Sequence, residues 1–206
     1  MSDHRISEAR VHVVHIPAKA VHSHGSGDVA GIDTVLLELV TDTGLTGWGE
    51  ASPWPVFTGT VEAAAAALHT HLRPLILGHD PVLTEPLMTR AGRALTGHPE
   101  AMSALECALL DLTGQIAGLS MSELIGGRHR DAIPLSFSVA NPDFDADLDD
   151  IARLWTDGIR IFKLKTGFAD HRFDLMRLEK LRDTYGEAAS LRIDYNQGLP
   201  AYDAIR

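Results

Sequence analysis

The chain has 206 residues, 45% hydrophobic and 22% charged, the balance of an ordinary globular protein with room for one large or two small domains. A formal net charge of −10 argues against nucleic acid or an anionic membrane as partner, and the first ten residues are too polar for a secretory signal. No window approaches the roughly 20 consecutive apolar residues of a membrane span, and the single Cys107 leaves no internal disulfide, which accords with a reducing cytoplasm.

The first fifty residues read as antiparallel strands. Val11 and Val13 alternate with His12 and Val14, and residues 34–40 form a β-branched, leucine-rich run. Thr41-Asp42-Thr43-Gly44 turns the chain into a further strand over residues 45–50. Between the first two strands, residues 21–28 read as a polar, glycine-bearing loop with the character of a mobile lid, carrying His22 and His24. From Thr60 to about residue 124 the period becomes helical, with starts at Thr60, Pro81 and Pro99 and stops near Pro74 and Gly118. Cys107 lies in the last of these helices and reads as a small core residue rather than a nucleophile. Gly126-Gly127 marks a break, which divides the chain into 1–125 and 126–206.

After the break, strands are expected at residues 133–139, 159–165 and 191–196. Helices are expected at 146–157 and 170–185, with another starting at 201. Such a β-α-β-α-β-α order with short connections is parallel α/β, the opening of a barrel or of an open sheet. The acidic run from Asp143 to Asp150 has helix-start spacing and reads as solvated capping.

Residues two apart on a strand share a face. Ile159, Ile161, Lys163 and Lys165 therefore lie opposite Arg160, Phe162 and Leu164, while Arg192, Asp194 and Asn196 lie opposite Leu191, Ile193 and Tyr195. A parallel crossover brings both strand ends to one sheet edge, the edge where such sheets hold their chemistry. Charges aimed inward need partners, and two lysines at i and i+2 repel rather than satisfy each other. A lysine beside another cation and partly desolvated has its pKa lowered, which supplies a neutral amine for proton abstraction. Lys165, nearest the strand end, is the candidate base and Lys163 its neighbour and substrate contact. Asp194 would hold a hard divalent cation that stabilises an enediolate, although one aspartate alone makes a poor site. Ser136 and Ser138 close the preceding strand, where Ser138 could touch substrate. Glu50 reads as structural.

Taken together, Lys163-x-Lys165, Arg192-Ile193-Asp194-Tyr195-Asn196-Gln197-Gly198, Gly47-Trp48-Gly49-Glu50 and Leu124-Ile125-Gly126-Gly127 resemble, in that order, the enolase superfamily. The match is to its muconate-lactonizing-enzyme-like subgroup, which also holds mandelate racemase and muconate cycloisomerase. The resemblance implies an α+β capping domain over residues 1–125. It also implies the first three strands of a modified (β/α)8 TIM-like barrel over residues 126–206. It implies Lys165 as base with Lys163 beside it, Asp194 as ligand to Mg²⁺ (or Mn²⁺), and Asn196 next to the metal. His24, Trp54, Phe57 and Thr58 would then lie on loops that line the substrate pocket. Members carry five further barrel units, with two more acidic ligands and a lysine on the opposite substrate face. The 206 residues alone are therefore expected to lack turnover. The implied activity is proton abstraction α to a carboxylate: cycloisomerisation, amino-acid racemisation or epimerisation, or dehydration of a hydroxyproline-type acid. The implied protein is a cytoplasmic homo-oligomer acting on a small carboxylate. A noncatalytic remnant or assembly piece is the rival reading.

Overall fold

The computed structural model describes residues 2–24, 27–141, 143–167, 169–196 and 198–204, with side chains outside 20–29, 203 and 204. The chain divides into two compact units. The first comprises Met1–Pro17 and Gly31–His129, the second Ala18–Ala30 and Arg130–Arg206.

The first unit is α+β. Its sheet has the order β1 (Ile6–His24), β2 (Gly27–Thr41), β3 (Thr46–Ala51), and β2 pairs antiparallel with β3. Residues 21–24 and 27–28 are strand backbone, so these parts of the expected lid loop belong instead to two long strands. Polar side chains misled the reading there, because strand pairing is made by backbone groups whatever the side chain. The side chains of His22 and His24, and all of Gly25 and Ser26, lie outside the described residues.

One face of this sheet carries Val35, Leu37 and Leu39 from β2 and Gly47, Gly49 and Ala51 from β3. Against it lies α4 (Pro99–Ala117), presenting Ala101, Ala104, Leu105, Ala108, Leu109 and Leu112. Register pairs Leu37 with Gly49 and Leu39 with Gly47, so large residues on β2 alternate with bare backbone on β3. A Cβ on Gly47 would sit 2.6 Å from the Ala108 carbonyl oxygen, and one on Gly49 would overlap the Ala104 carbonyl. The Gly-Trp-Gly-Glu motif is thus a helix seat. The Asp111 Oδ2 accepts from the Trp48 N–H (2.9 Å) and Gln115 donates to the Thr46 carbonyl (2.7 Å), so α4 also covers the outer edge of β3. Glu50 proves structural: Ser52 and Thr34 donate to it and hold its carboxyl below the usual carboxylate range.

The remaining helices complete this core. α1 (Val61–Ala66) is capped by Thr60, whose hydroxyl accepts from the Ala63 N–H. It runs into a π-helical turn, Ala67–Leu72, and then α2 (Arg73–Ile76). The helix therefore passes the stop expected at Pro74, which is tolerated in the first turn of α2. α3 (Thr84–Ala94) and the short α5 (Met121–Leu124) follow on either side of α4, and α5 opens with a Ser120–Glu123 capping box. Cys107 is half-buried and stands outside the buried stripe of α4.

The second unit is parallel α/β. Its strands are β4 (Ser136–Val139), β5 (Ile161–Lys165) and β6 (Ser190–Asp194), in the order β4-β5-β6 with both pairings parallel. α6 (Phe144–Thr156) and α7 (His171–Tyr185) connect them, and α8 (Ala201–Ala204) follows β6. Phe162 and Leu164 turn to one side of β5 and pack, fully buried, with Val139, Phe144, Ile151 and Leu181. Trp155 stacks on Phe162 and meets Tyr185 at a tilt in the same cluster. The parity expected of β5 holds from Ile161 onward. Ile159 precedes the strand and packs with the helix-side cluster instead, and Ser136 opens β4 rather than closing it. Among the described residues no helix is long and apolar enough to cross a membrane.

Candidate active site

Register places Lys163 beside Arg192 and Lys165 beside Asp194, at the C-terminal ends of adjacent parallel strands. Alternation with Phe162 and Leu164 drives both amines to the face opposite the helices. There they converge on one carboxylate: the Asp194 Oδ2 lies 2.8 Å from the Lys165 Nζ and 3.3 Å from the Lys163 Nζ. The two lysines and the aspartate thus meet at one end of the sheet, as expected of the crossover, and Asp194 is a counterion common to both amines.

Lys165 is buried and also donates to the Asn196 Oδ1, while the Lys163 side chain is about one-third exposed. Asn196 lies just past β6 with φ of 42°, a left-handed conformation that asparagine adopts more readily than most residues. That turn directs its N–H to the Asp194 Oδ1 at 3.1 Å. Partial burial works to raise the Asp194 pKa, but the hydrogen bonds from Lys165, the Asn196 amide and Lys163 outweigh it, so the carboxyl is held below the usual carboxylate range.

Ser138 is the register partner of Lys163 on β4, which puts it on the same face of the sheet. Trp54, Phe57 and Thr58 belong to the first unit. There the Trp54 carbonyl accepts from the N–H groups of Phe57 and Thr58, and the Thr58 hydroxyl accepts from the Trp54 N–H. The structure therefore brings together Lys163, Lys165, Asp194 and Asn196, with Ser138 on the neighbouring strand. The His24 side chain is outside the described residues.

Three residues beneath these strand ends escaped the sequence reading: Asp147, Asp174 and Arg177, all buried. Asp147 corrects the reading of the acidic run as solvated. Asp143 caps α6 by accepting from the Asp145 N–H, but Asp147 is only 5% exposed and accepts from the Asn141 N–H. Burial pushes the Asp147 carboxyl up to about 6, against the opposing pull of the Asn141 amide and the Arg177 charge. The available signal was a repeated spacing, Asp143-x-x-x-Asp147 and Asp170-x-x-x-Asp174, at the start of both crossover helices.

Asp194 offers the hard oxygen that Mg²⁺ takes, but its Oδ2 is engaged by two ammonium groups and its Oδ1 by an amide. Among the described residues no three carboxylate, histidine or cysteine side chains group as a metal site. The described residues thus supply one ligand and do not by themselves fit a divalent cation.

An α+β unit followed by parallel βα units with ionisable groups at their strand ends defines a class of chain, a capping domain joined to part of a barrel. Within that class the chain belongs to the mandelate racemase / muconate lactonizing enzyme family, whose N-terminal domain profile matches residues 6–126. It is similar to the L-Ala-D/L-Glu epimerase of Bacillus subtilis (strain 168), with 31% identity over 174 residues, covering 84% of this chain and 47% of that protein. Among solved structures, a muconate cycloisomerase from Azorhizobium caulinodans superposes with a TM-score of 0.84 and 44% identity, over 100% of this chain and 54% of that one. Muconate lactonizing enzyme from Pseudomonas fluorescens, complexed with muconolactone, gives 0.92 and 29%, over 98% and 56%. The chain spans about half the length of the curated relatives it matches.

Proposed function

We propose that this chain supplies one acid/base face of an enzyme that removes a proton α to a carboxylate, with Lys165 as the base. The observation that carries the reading is the convergence of Lys163, Lys165 and Asp194 at the ends of β5 and β6. In the step, the Lys165 ammonium first gives a proton to solvent, the substrate C–H bond then breaks, its proton passes to the Lys165 Nζ, and the electron pair moves into the carboxylate. Burial of Lys165 keeps water from competing for its nitrogen, and the Asn196 and Asp194 oxygens fix its position. Lys163, more exposed, offers positive charge to the substrate carboxylate.

A Mg²⁺ or Mn²⁺ ion, with Asp194 as one of several ligands, would stabilise the negative charge that develops on that carboxylate. Only one such ligand comes from the described residues, so the 206 residues alone are expected to give no turnover. Epimerisation, the activity of one relative, begins with this proton transfer, whereas cycloisomerisation of a muconate ends with it, the ring closing first and the α-carbon of the lactone then taking the proton. Dipeptides, N-acylated amino acids and muconolactone are therefore the substrates to try.

The test is exchange of the substrate α-proton with solvent deuterium in the presence of Mg²⁺. It is run on the 206-residue chain and on the same chain fused to the C-terminal half of a relative. The reading expects exchange from the fusion, none from the chain alone, and none from the fusion carrying Lys165→Ala. Exchange that survives Lys165→Ala would leave the inward charges as structure only, and exchange by the 206-residue chain would remove the claim that its site is partial.

A further inference from the structure

The two crossover helices of the second unit begin alike. In each, an aspartate caps the helix, and a second aspartate four residues on is buried and accepts the N–H of the residue two places beyond the preceding strand. Asp147 of α6 takes the Asn141 amide at 2.9 Å, and Asp174 of α7 takes the Gly167 amide at 3.1 Å. One turn further along they differ. α6 has Asp150, paired with Arg153 at the surface, whereas α7 has Arg177, fully buried.

The Arg177 Nη2 donates to the Lys165 carbonyl at 2.6 Å and to the Asp174 Oδ1 at 2.7 Å. One ion pair on α7 therefore grips the peptide chain on both sides of Thr166: the carbonyl of Lys165 through Arg177 and the amide of Gly167 through Asp174. The guanidinium also pulls on Asp147 electrostatically, and the rings of Phe173 and Phe144 lie 5.0 and 5.9 Å from it. Above this grip the loops after β5 and β6 touch at their glycines, where a Cβ on Gly198 would come within 3.2 Å of the Gly167 carbonyl oxygen. A buried guanidinium carries a large desolvation penalty, and an apolar side chain of similar volume would fill the same space without it. Packing alone gives no reason for an arginine here; a chain end that must be held in register does.

We infer that Arg177, together with Asp174, is a positioning residue that fixes the Lys165–Gly167 backbone and so sets where the Lys165 amine meets Asp194 and Asn196. The inference takes its functional meaning from the proposed role of Lys165, but its test needs no turnover. Heteronuclear NMR on the 206-residue chain reads amide exchange at Thr166 and Gly167 together with the Lys165 side-chain ammonium resonance. Arg177→Met is expected to speed exchange at these two amides by about tenfold to hundredfold. It should shift the Lys165 ammonium signal while Phe162, in the same strand, stays within about twofold. Arg177→Lys, which keeps one donor, should recover part of both effects, and Asp174→Asn should reproduce the loss at Gly167.

Unchanged amides in both Arg177→Met and Asp174→Asn would overturn the inference. So would acceleration spread evenly through β5, because that marks a general structural role. If Arg177→Met does not fold, Asp174→Asn and Arg177→Lys decide by the same criteria. A wild-type Lys165 ammonium that is not bonded to Asp194 would remove the proposed base site. A bonded one indifferent to Arg177 would remove only this inference.

Discussion

Replacing Asp194 with asparagine removes the carboxylate that Lys163 and Lys165 share while keeping an oxygen in its place. The two lysines should feel this unequally. At 2.8 Å and an effective dielectric of about 20, the gross attraction to Lys165 is about 6 kcal/mol. Most of that is offset by dehydration of the pair. Lys163, at 3.3 Å with its side chain one-third exposed, recovers water and loses almost nothing. Lys165 has only 11% of its side chain exposed, so it is left as a buried ammonium with neutral acceptors. Stranding a fully buried charge costs about 3–5 kcal/mol. The remaining exposure and the retained hydrogen bonds reduce this to about 2–3 kcal/mol.

Lys165→Met acts on the other partner and should cost about 0–1 kcal/mol, because Asp194 keeps Lys163 and the Asn196 amide and the buried ammonium is gone. Adding Asp194→Asn to Lys165→Met should then cost little more. Urea titration followed by Trp155 fluorescence, with Trp48 and Trp54 of the first unit replaced by phenylalanine, reads the second unit alone. The Asp194 pKa is depressed in the folded state, so its contribution is present above the ordinary 3.8 and is lost as pH falls through the lower folded value. The gap between wild type and Asp194→Asn should accordingly close on acidification. An Asp194→Asn chain as stable as Lys165→Met at pH 7 would refute the shared-counterion argument.

Gly49→Ala drives a methyl into the Ala104 carbonyl and should cost about 3 kcal/mol or more. Gly92→Ala, in α3 with nothing near the added methyl, should be neutral or stabilise by up to about 1 kcal/mol; equal thermal shifts for the two would contradict the helix-seat reading. Asp147 is the opposite case to Asp194. Its pKa is raised from 3.8 to about 6, so its favourable contribution is complete below 3.8 and is lost as pH rises through 6. The stability of wild type relative to Asp147→Asn should fall by up to about 3 kcal/mol between pH 4 and pH 7, and parallel pH profiles in urea titrations would argue against a buried, destabilised carboxylate.

The face carrying Lys163 and Lys165 was legible because both alternate with Phe162 and Leu164, and period-two patterning survives any error in strand ends. Asp194 and Asn196 were legible by the same parity. That Asp194 meets both lysines followed from the crossover, but that one oxygen takes both amines did not, since it depends on register, which the local pattern leaves open. Residues 21–24 and 27–28 were misread because side-chain polarity was taken for loop character where backbone pairing decides. The buried Asp147, Asp174 and Arg177 were missed for a related reason. A charged residue in a helix start is ordinarily solvated, and only the amides and carbonyls it meets in three dimensions show otherwise. The π-helical turn at Ala67–Leu72 has no signature in an alanine- and leucine-rich run.

The role proposed for the Lys165 amine is to take the proton from the carbon next to a substrate carboxylate. Deuterium incorporation at that carbon, followed by NMR in D2O with Mg²⁺ for the fusion to a relative's C-terminal half, addresses it directly. Incorporation is expected with lysine at 165 and only background incorporation with Lys165→Ala or Lys165→Met, while Phe57→Ala retains measurable exchange. Undiminished incorporation after loss of the Lys165 amine would contradict it.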